Sequence, residues 1–410
     1  MEEYSIINKC PITDSTERVT YFDLGNFPLV NNLNDTREES LNCTRYPLAV
    51  NIYPESNLSA LTCAVKGELL FSNYLFKSEI NVPYIKHCQE MFKWIRSFVY
   101  LSNGDTIIDI GGNDGTLLSA FKSASDIDLR YLNIDPSRNL AQSCQDKGIP
   151  VVVDFFSEKL ASSLPKVKVV TSTNVFQHLK DINSFVKGIH TMLADEGIWL
   201  LEFPYWVHDM LTNQFDQIYH EHVYYYSVRP LKMLFEKHGL KLIDVVKQEI
   251  HGGTLRLIIT KQESSLQELE SVQNILDFEE KFDMEYYENW GEKIRYHLDQ
   301  SKELLLQYKQ EGKKIAGFGA AAKGCIFLNS IEVDHNILDY IIDDTDIKQG
   351  KYIPGTGIEV VSREILNEEH PDVILILAHN FAEHIIKSLR YENGYNGTFL
   401  TLLPKIQITT

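Results

Sequence analysis

At 410 residues the chain exceeds the roughly 250 to 300 at which a single hydrophobic core stops growing, so two or three domains are expected, and 44% hydrophobic content is ample for their cores. A formal charge of -18 argues against a nucleic-acid backbone as the main partner, while leaving room for a local basic pocket that holds a diphosphate. No apolar run reaches the roughly 18 to 20 residues that span a bilayer, Met1 to Asn8 carries two glutamates where a signal peptide is basic, and six scattered cysteines show no extracellular disulfide pattern; no membrane partner, a cytoplasmic location and free thiols are expected.

Residues up to about Phe71 hold turn-rich polar stretches, Asn31-Asn32-Leu33-Asn34-Asp35 and Tyr53-Pro54-Glu55-Ser56-Asn57, and read as a small domain of short strands within 1–75. From Pro83 to Leu101, Ile85, Met91, Trp94, Ile95, Phe98 and Val99 recur at helical spacing, which predicts an amphipathic helix before the first sheet strand, Thr106 to Ile110. Tyr131 to Ile134, Val151 to Val153, Val167 to Thr171 and Gly197 to Glu202 then read as short buried strands between helices. That alternation specifies a mostly parallel, doubly wound sheet. Lys241 to Val246 and Thr254 to Thr260 add an antiparallel edge, closing a central Rossmann-like domain over 76–261. Gln262 to Gly312 has no proline and reads as one or two long helices, with a break at Asn289-Trp290-Gly291. Lys314 to Gly317, Leu338 to Ile342 and Val373 to Leu377 form a second set of buried strands, so 262–410 reads as a helical linker and a C-terminal α/β domain.

The first strand of the central sheet runs into Asp109 and a loop carrying Gly111, Gly112, Asn113, Asp114 and Gly115, after which a helix starts at Thr116. Glycines let a backbone approach a ligand closely, and the aspartate can meet a cationic or hydroxyl group. The second strand ends at Asp135, about twenty residues beyond Gly115, where an acid commonly grips ribose hydroxyls. Both features suit S-adenosylmethionine or NAD. Asp154-Phe155-Phe156 follows the third strand and offers a polar group and an aromatic face to an adenine; taken alone it reads as a capped turn with two core phenylalanines. The missing Gly-x-Gly-x-x-Gly and the loop's carboxylates disfavour a dinucleotide and leave S-adenosylmethionine as the expected cofactor, with Asp109, Gly111, Asn113, Gly115, Asp135, Asp154 and Phe155 around it.

Asp216 to Ser227 packs two histidines, a glutamate and four tyrosines into twelve residues. If extended, Tyr219 and Glu221 face one way and His220 and His222 the other; a turn would let them converge, and the sequence leaves both open. A histidine is the natural base at neutral pH, and Glu221 would either orient its ring or pair with a core arginine. Zinc is not expected here, because His-x-His lacks a third ligand at an obvious spacing. Thr173-Asn174-Val175-Phe176-Gln177-His178 and His251-Gly252-Gly253-Thr254-Leu255-Arg256 place further polar groups near strand ends.

Gly112-Asn113-Asp114-Gly115-Thr116-Leu117-Leu118, Ile218-Tyr219-His220-Glu221-His222, His251-Gly252-Gly253-Thr254-Leu255-Arg256, Gly319-Ala320-Ala321-Ala322-Lys323-Gly324 and Lys348-Gln349-Gly350-Lys351-Tyr352 with Pro354-Gly355-Thr356 occur in the order seen in three-domain sugar-nucleotide C-methyltransferases. The chain resembles that family over almost its whole length. The resemblance implies S-adenosylmethionine-dependent methylation of a ring carbon beside a ketone in a nucleotide-linked 4-keto-6-deoxy sugar, at C3, with C5 the alternative. It also implies His222 as general base, Tyr219 and Glu221 as its partners, and Asn174 and His178 as substrate-pocket residues, with Lys323 at the diphosphate; His251, from its place at the entry to a strand, is a further substrate-pocket candidate. A cofactor- or nucleotide-sugar-binding protein without catalysis is the competing expectation. The family's N-terminal zinc site of two Cys-x-x-Cys pairs is degenerate here, since Cys10 is followed by Thr13 and the second pair is replaced by Tyr53 and Ser56; bound zinc is not expected. Tyr74-Leu75-Phe76 departs from the family's tyrosines at both ends, which puts a substrate contact there in doubt.

Overall fold

The computed structural model describes residues 3–71 and 82–410; Tyr74-Leu75-Phe76 lies outside them. The N-terminal part contains β1 (Tyr4–Ile6), β2 (Val19–Pro28), α1 (Arg37–Leu41), β3 (Arg45–Tyr53), β4 (Leu58–Leu61), β5 (Cys63–Val65) and α2 (Gly67–Phe71). β1 pairs with β5, and β2, β3 and β4 form an antiparallel meander whose inner side chains, Phe22, Leu48, Val50, Ile52 and Leu58, are buried. The turns at Cys10 and Ser56 face each other, with Cys10 Sγ 3.3 Å from Ser56 Oγ, while the buried Tyr53 donates its hydroxyl to the Ile7 carbonyl at 3.3 Å. One thiol, two hydroxyls and a phenol engaged elsewhere do not make a tetrahedral zinc site.

The central part runs α3 (Val82–Ile95), β6 (Thr106–Ile110), α4 (Thr116–Ala124), β7 (Arg130–Ile134), α5 (Arg138–Asp146), β8 (Val151–Val152), α6 (Glu158–Ala161), β9 (Val167–Thr173), α7 (Ile182–Met192), β10 (Leu193–Pro204), α8 (Trp206–Leu211), β11 (Tyr224–Tyr225), α9 (Val228–Lys237), β12 (Leu240–Gln248) and β13 (Thr254–Lys261). Its seven-stranded sheet has the order β12-β13-β10-β9-β6-β7-β8. The run from β10 to β8 is parallel, and β13 inserts antiparallel between β10 and β12. The expected antiparallel pair is therefore present, with β12 alone at the edge. Chain direction reverses its winding between β6 and β9, the crevice where open α/β sheets bind ligands.

β11 does not join this sheet. Tyr224 and Tyr225 pair with Ala60 and Ser59, so the tyrosine-rich segment supplies the fourth strand of the N-terminal meander, order β11-β4-β3-β2.

The last part comprises α10 (Glu270–Glu279), α11 (Met284–Gln310), β14 (Ile315–Phe318), α12 (Ala322–Ser330), β15 (Tyr340–Ile342), β16 (Val360–Val361), β17 (Val373–Ile376), α13 (Ala382–Glu392), β18 (Thr398–Thr401) and β19 (Gln407–Thr409). Its six strands lie in the order β16-β15-β14-β17-β18-β19, parallel except for β19. The helix break expected at Asn289-Trp290-Gly291 is absent: α11 is continuous, and the interruption falls before Asp283, whose side chain caps α11 by accepting the Tyr286 N–H at 2.9 Å. Gly291 serves packing instead. A Cβ there would come within 2.5 Å of the Tyr21 carbonyl, so the glycine lets α11 lie against β2, while Trp290 packs on Phe22 and Trp206. All six cysteines are unbridged, and among the described residues no helix is long and apolar enough to cross a membrane.

Candidate active site

The loop after β6 is shaped by its own contacts. Asn133 accepts the Gly112 N–H at 3.1 Å and donates to the Asn113 carbonyl at 3.0 Å, and Asp135 accepts the Asn113 N–H at 2.8 Å and the Ser137 N–H at 2.8 Å. Asn113 itself sits at φ +53°, a left-handed conformation that asparagine tolerates. Gly112 is required because a Cβ would lie 2.4 Å from Asp109 Oδ2 and 2.5 Å from Asn133 Oδ1. Asp109 is fully buried: Oδ1 accepts from Thr171 at 2.7 Å, and Oδ2 has no hydrogen-bond partner among the described residues. Burial, opposed by the Thr171 hydroxyl and helped by the Asp135 charge, pushes its carboxyl up to about 7. Asp114 turns away from the crevice, accepting from Thr116 at the start of α4 and from Lys147 at 3.2 Å. Asp154 accepts the Phe155 N–H at 2.8 Å, and Phe155 stands 65% exposed beside β8; only Phe156 packs inward, against Phe185. The turn thus packs one of the two phenylalanines, half-buried, against the core and leaves the other as an aromatic face.

The tyrosine-rich segment is a turn. The His222 N–H meets the Tyr219 carbonyl at 2.9 Å, which brings the two side chains together: Tyr219 Oη lies 2.8 Å from His222 Nε2 and the rings are 4.1 Å apart. His222 Nδ1 lies 2.9 Å from the Gln217 carbonyl. A carbonyl only accepts, so Nδ1 carries the proton, Nε2 presents its lone pair, and Tyr219 donates to it. Burial foremost, then the neighbouring His178 and Lys323, hold His222 well below the usual imidazole range; the ring is neutral at neutral pH. Glu221 does not orient this ring. Its carboxylate accepts from Asn31 Nδ2 at 2.5 Å, and burial pushes it up to about 7. No core arginine pairs with it either; Arg256 pairs with the buried Glu202, Nε to Oε2 at 2.8 Å, and Glu202 also meets His87 at 2.8 Å. His220 is structural, its Nε2 reaching the Tyr46 and Pro47 carbonyls of β3 at 3.3 and 3.2 Å.

Of the outlying residues, His178 joins the turn: Nδ1 lies 2.7 Å from the Glu221 carbonyl and its ring is 5.0 Å from that of His222. Asn174 is held at φ +56°, with its N–H on the Glu202 carbonyl at 2.8 Å. His251 is placed by its backbone in the 3-10 turn Ile250–Gly252, whose Gly252 carbonyl accepts from Gln214 Nε2 at 2.9 Å. Gln214 Oε1 in turn lies 3.3 Å from Lys323 Nζ, at the start of α12. Asn31, Asn133, Gln214 and Gln217 therefore build the site without having been singled out in the sequence. Only Asn133, two positions before Asp135 on β7, carried a local signal; the others act over long separations or through the main chain.

Residues 84–245 match a family described as methyltransferase domain, and residues 249–404 match one described as C-methyltransferase C-terminal domain. With the Rossmann-like sheet, the first match defines the class: a methyltransferase of the S-adenosylmethionine-dependent fold. The second narrows the resemblance, for the part it matches is described as the C-terminal domain of C-methyltransferases. The chain is 28% identical over 411 residues to the C-methyltransferase NovU of Streptomyces niveus, covering 98% of this chain and 97% of that one. Among solved structures it is similar to the magnesium protoporphyrin IX methyltransferase of Synechocystis PCC 6803 with bound SAH, at 11% identity and a TM-score of 0.36 over 45% of this chain and 90% of that one. The N-methyltransferase NodS of Bradyrhizobium japonicum gives 12% identity and a TM-score of 0.34 over 44% and 98%. These two structural likenesses are too weak to bear on activity.

Proposed function

We propose that the protein methylates a ring carbon next to a ketone in a nucleotide-linked keto-deoxy sugar, at C3 beside a 4-keto group, with His222 as the general base. The observation that carries the reading is the state of the His222 ring: its proton is pinned on Nδ1 by the Gln217 carbonyl, so Nε2 is a permanent acceptor in a buried site. A ketone acidifies the adjacent C–H, and Nε2 receives that proton. The same burial that keeps the free imidazole neutral is offset, as the proton arrives, by the negative charge forming on the substrate.

S-adenosylmethionine, when bound, supplies an electrophilic methyl group on a sulfonium. The residues present fit it: Asp109 Oδ2 is buried and unpartnered at the crevice between β6 and β9, Asp135 has acceptor capacity beyond its two backbone contacts, and the Phe155 ring is open beside Asp154. Asp135 would hold the ribose, and Asp154 with Phe155 the adenine.

The Tyr219 hydroxyl already occupies Nε2, which supports a variant in which the phenol relays the substrate proton to the imidazole. His222→Asn and Tyr219→Phe separate the two. With direct abstraction, the asparagine variant loses turnover by about 10²- to 10⁴-fold and the phenylalanine variant much less; with a relay both fall alike. Calorimetry with S-adenosylhomocysteine should remain normal in each. A His222→Asn enzyme that methylates a keto-sugar nucleotide at near wild-type rate sinks the assignment, and the carbon carrying the new methyl decides between C3 and C5.

A further inference from the structure

Lys323 lies on the Gly319-Ala320-Ala321-Ala322-Lys323-Gly324 segment of the C-terminal part, yet its contacts lead to the catalytic turn. Its Nζ is 3.3 Å from Gln214 Oε1, and Gln214 opens the 3-10 turn Phe215–Gln217, whose last carbonyl pins His222 Nδ1. The same amide holds the Gly252 carbonyl, and a Cβ at Gly252 would come within 2.6 Å of Gln214 Oε1, so this approach is built into the loop. α12 is seated on the turn by Phe327 against Phe215, ring centroids 6.2 Å apart. The ammonium is half-buried and forms no ion pair with a carboxylate among the described residues.

Its surroundings are acidic and buried. Asp209 and Asp216 are each 1% exposed; Asp209 Oδ1 and both Asp216 oxygens lack hydrogen-bond partners among the described residues, and His379 Nδ1 approaches Asp216 Oδ2 at 3.5 Å. Burial raises the Asp209 carboxyl well above the usual carboxylate range, so the space holds a protonated acid and one ammonium, and a diphosphate would bring two or more negative charges where a single cation can offset only one. A single developing anion suits the place better. One cation beside one oxyanion, one turn from the base, is the usual arrangement for stabilising an enolate.

We propose that Lys323 is a catalytic residue at the sugar end of the substrate: its ammonium contacts the ketone oxygen and offsets the charge that forms there, a different task from the diphosphate contact expected of it. The inference rests on the keto-sugar reading above. In the step it serves, the base takes the proton from the carbon beside the ketone, the C–H electron pair becomes the enolate double bond, and the carbonyl pair moves to oxygen beside Lys323. The enolate carbon then bonds the methyl as the methyl–sulfur bond breaks, the carbonyl re-forms, and Lys323 stays protonated throughout. That its charge is felt at His222, Asp209 and His379 agrees with the location.

The test uses the full chain with Lys323→Met, which keeps most of the stem and removes the charge, and Lys323→Arg, which keeps the charge. dTDP-, CDP- and GDP-linked 4-keto-6-deoxyhexoses are incubated in D₂O with S-adenosylhomocysteine bound, so that exchange beside the ketone is read without methylation; binding of the bare nucleoside diphosphates is measured in parallel. The expected result is that Lys323→Met binds S-adenosylhomocysteine and the nucleoside diphosphate within about threefold of wild type, but loses exchange and methylation by about 10²- to 10³-fold, with partial recovery in Lys323→Arg. Unchanged exchange in Lys323→Met, or a tenfold loss of nucleoside-diphosphate affinity with turnover intact at saturation, overturns the inference and leaves the keto-sugar reading standing. If the methionine variant fails to bind S-adenosylhomocysteine, the arginine variant decides: full loss of exchange in a folded Lys323→Arg protein together with lost nucleoside-diphosphate binding also overturns it. Neither exchange nor methylation by wild type on any of these sugars overturns the reading itself, and the inference with it.

Discussion

Fixing one proton on His222 Nδ1 decides what the ring can do, and it is done by a main-chain carbonyl where many enzymes use a carboxylate. The carboxylate next in sequence has another fate. Glu221 lies under Asn31, its folded pKa pushed up to about 7 by burial, above the ordinary 4.5. A raised carboxyl contributes its stability below the unfolded pKa and loses it as pH rises through the folded one, so the protein gives up roughly 3 kcal/mol from this group between about pH 4.5 and 7. His178 and His220, both lowered to about 4 by burial, work in the opposite sense, losing stability as pH falls from 6.5. Glu221→Gln isolates the first effect. We expect the variant to match wild type near pH 4.5 and to exceed it by a few kcal/mol at pH 8 in urea denaturation; parallel curves across that range would reject the buried-acid account. His222 and Tyr219 were readable in the sequence because they are three residues apart and a turn suffices to join them. Asn31 was not, because 190 residues separate it from the glutamate it holds.

Helices and turns show where local signals mislead. Asn289-Trp290-Gly291 looks like a break because glycine costs a helix about 1 kcal/mol relative to alanine, but the close approach of the Tyr21 carbonyl outweighs that preference. Gly291→Ala should therefore destabilise the protein by about 1 to 3 kcal/mol despite its better propensity. A rise in Tm on this substitution would show that α11 moves away from β2 at little cost. The expectation that the turns at Cys10 and Ser56 hold no zinc rests on residue type alone. With Cys10 against Ser56 and Tyr53 buried on the Ile7 carbonyl, chelation by EDTA should leave the melting temperature unchanged. A parallel loss of zinc and of the N-terminal sheet would contradict this. The central strands were found from their buried apolar runs, whereas β18 begins and ends on threonine, β19 is largely exposed and β16 is a lone Val-Val pair, so none of the three stands out as such a run.

Across the whole molecule, one short segment ties three parts together. The turn that carries His222 touches β3 through His220, takes Asn31 on Glu221, faces Lys323 through Gln214, and ends as β11 in the N-terminal meander. Its density of tyrosines was visible in the sequence; its pairing with a strand some 160 residues earlier was not, because strand partnership over such distances leaves no local trace. On this account the N-terminal meander and the central sheet should melt together, and a calorimetric scan resolving a separate early transition for residues 3–71 would count against it. The shared strand also sets an order on birth of the chain at the ribosome. β4 emerges long before its neighbour β11, and at roughly 5 to 20 residues per second the wait is on the order of ten to thirty seconds. Throughout that interval β4 offers a bare edge to any passing strand, so the nascent N-terminal meander stays open to mispairing until β11 arrives.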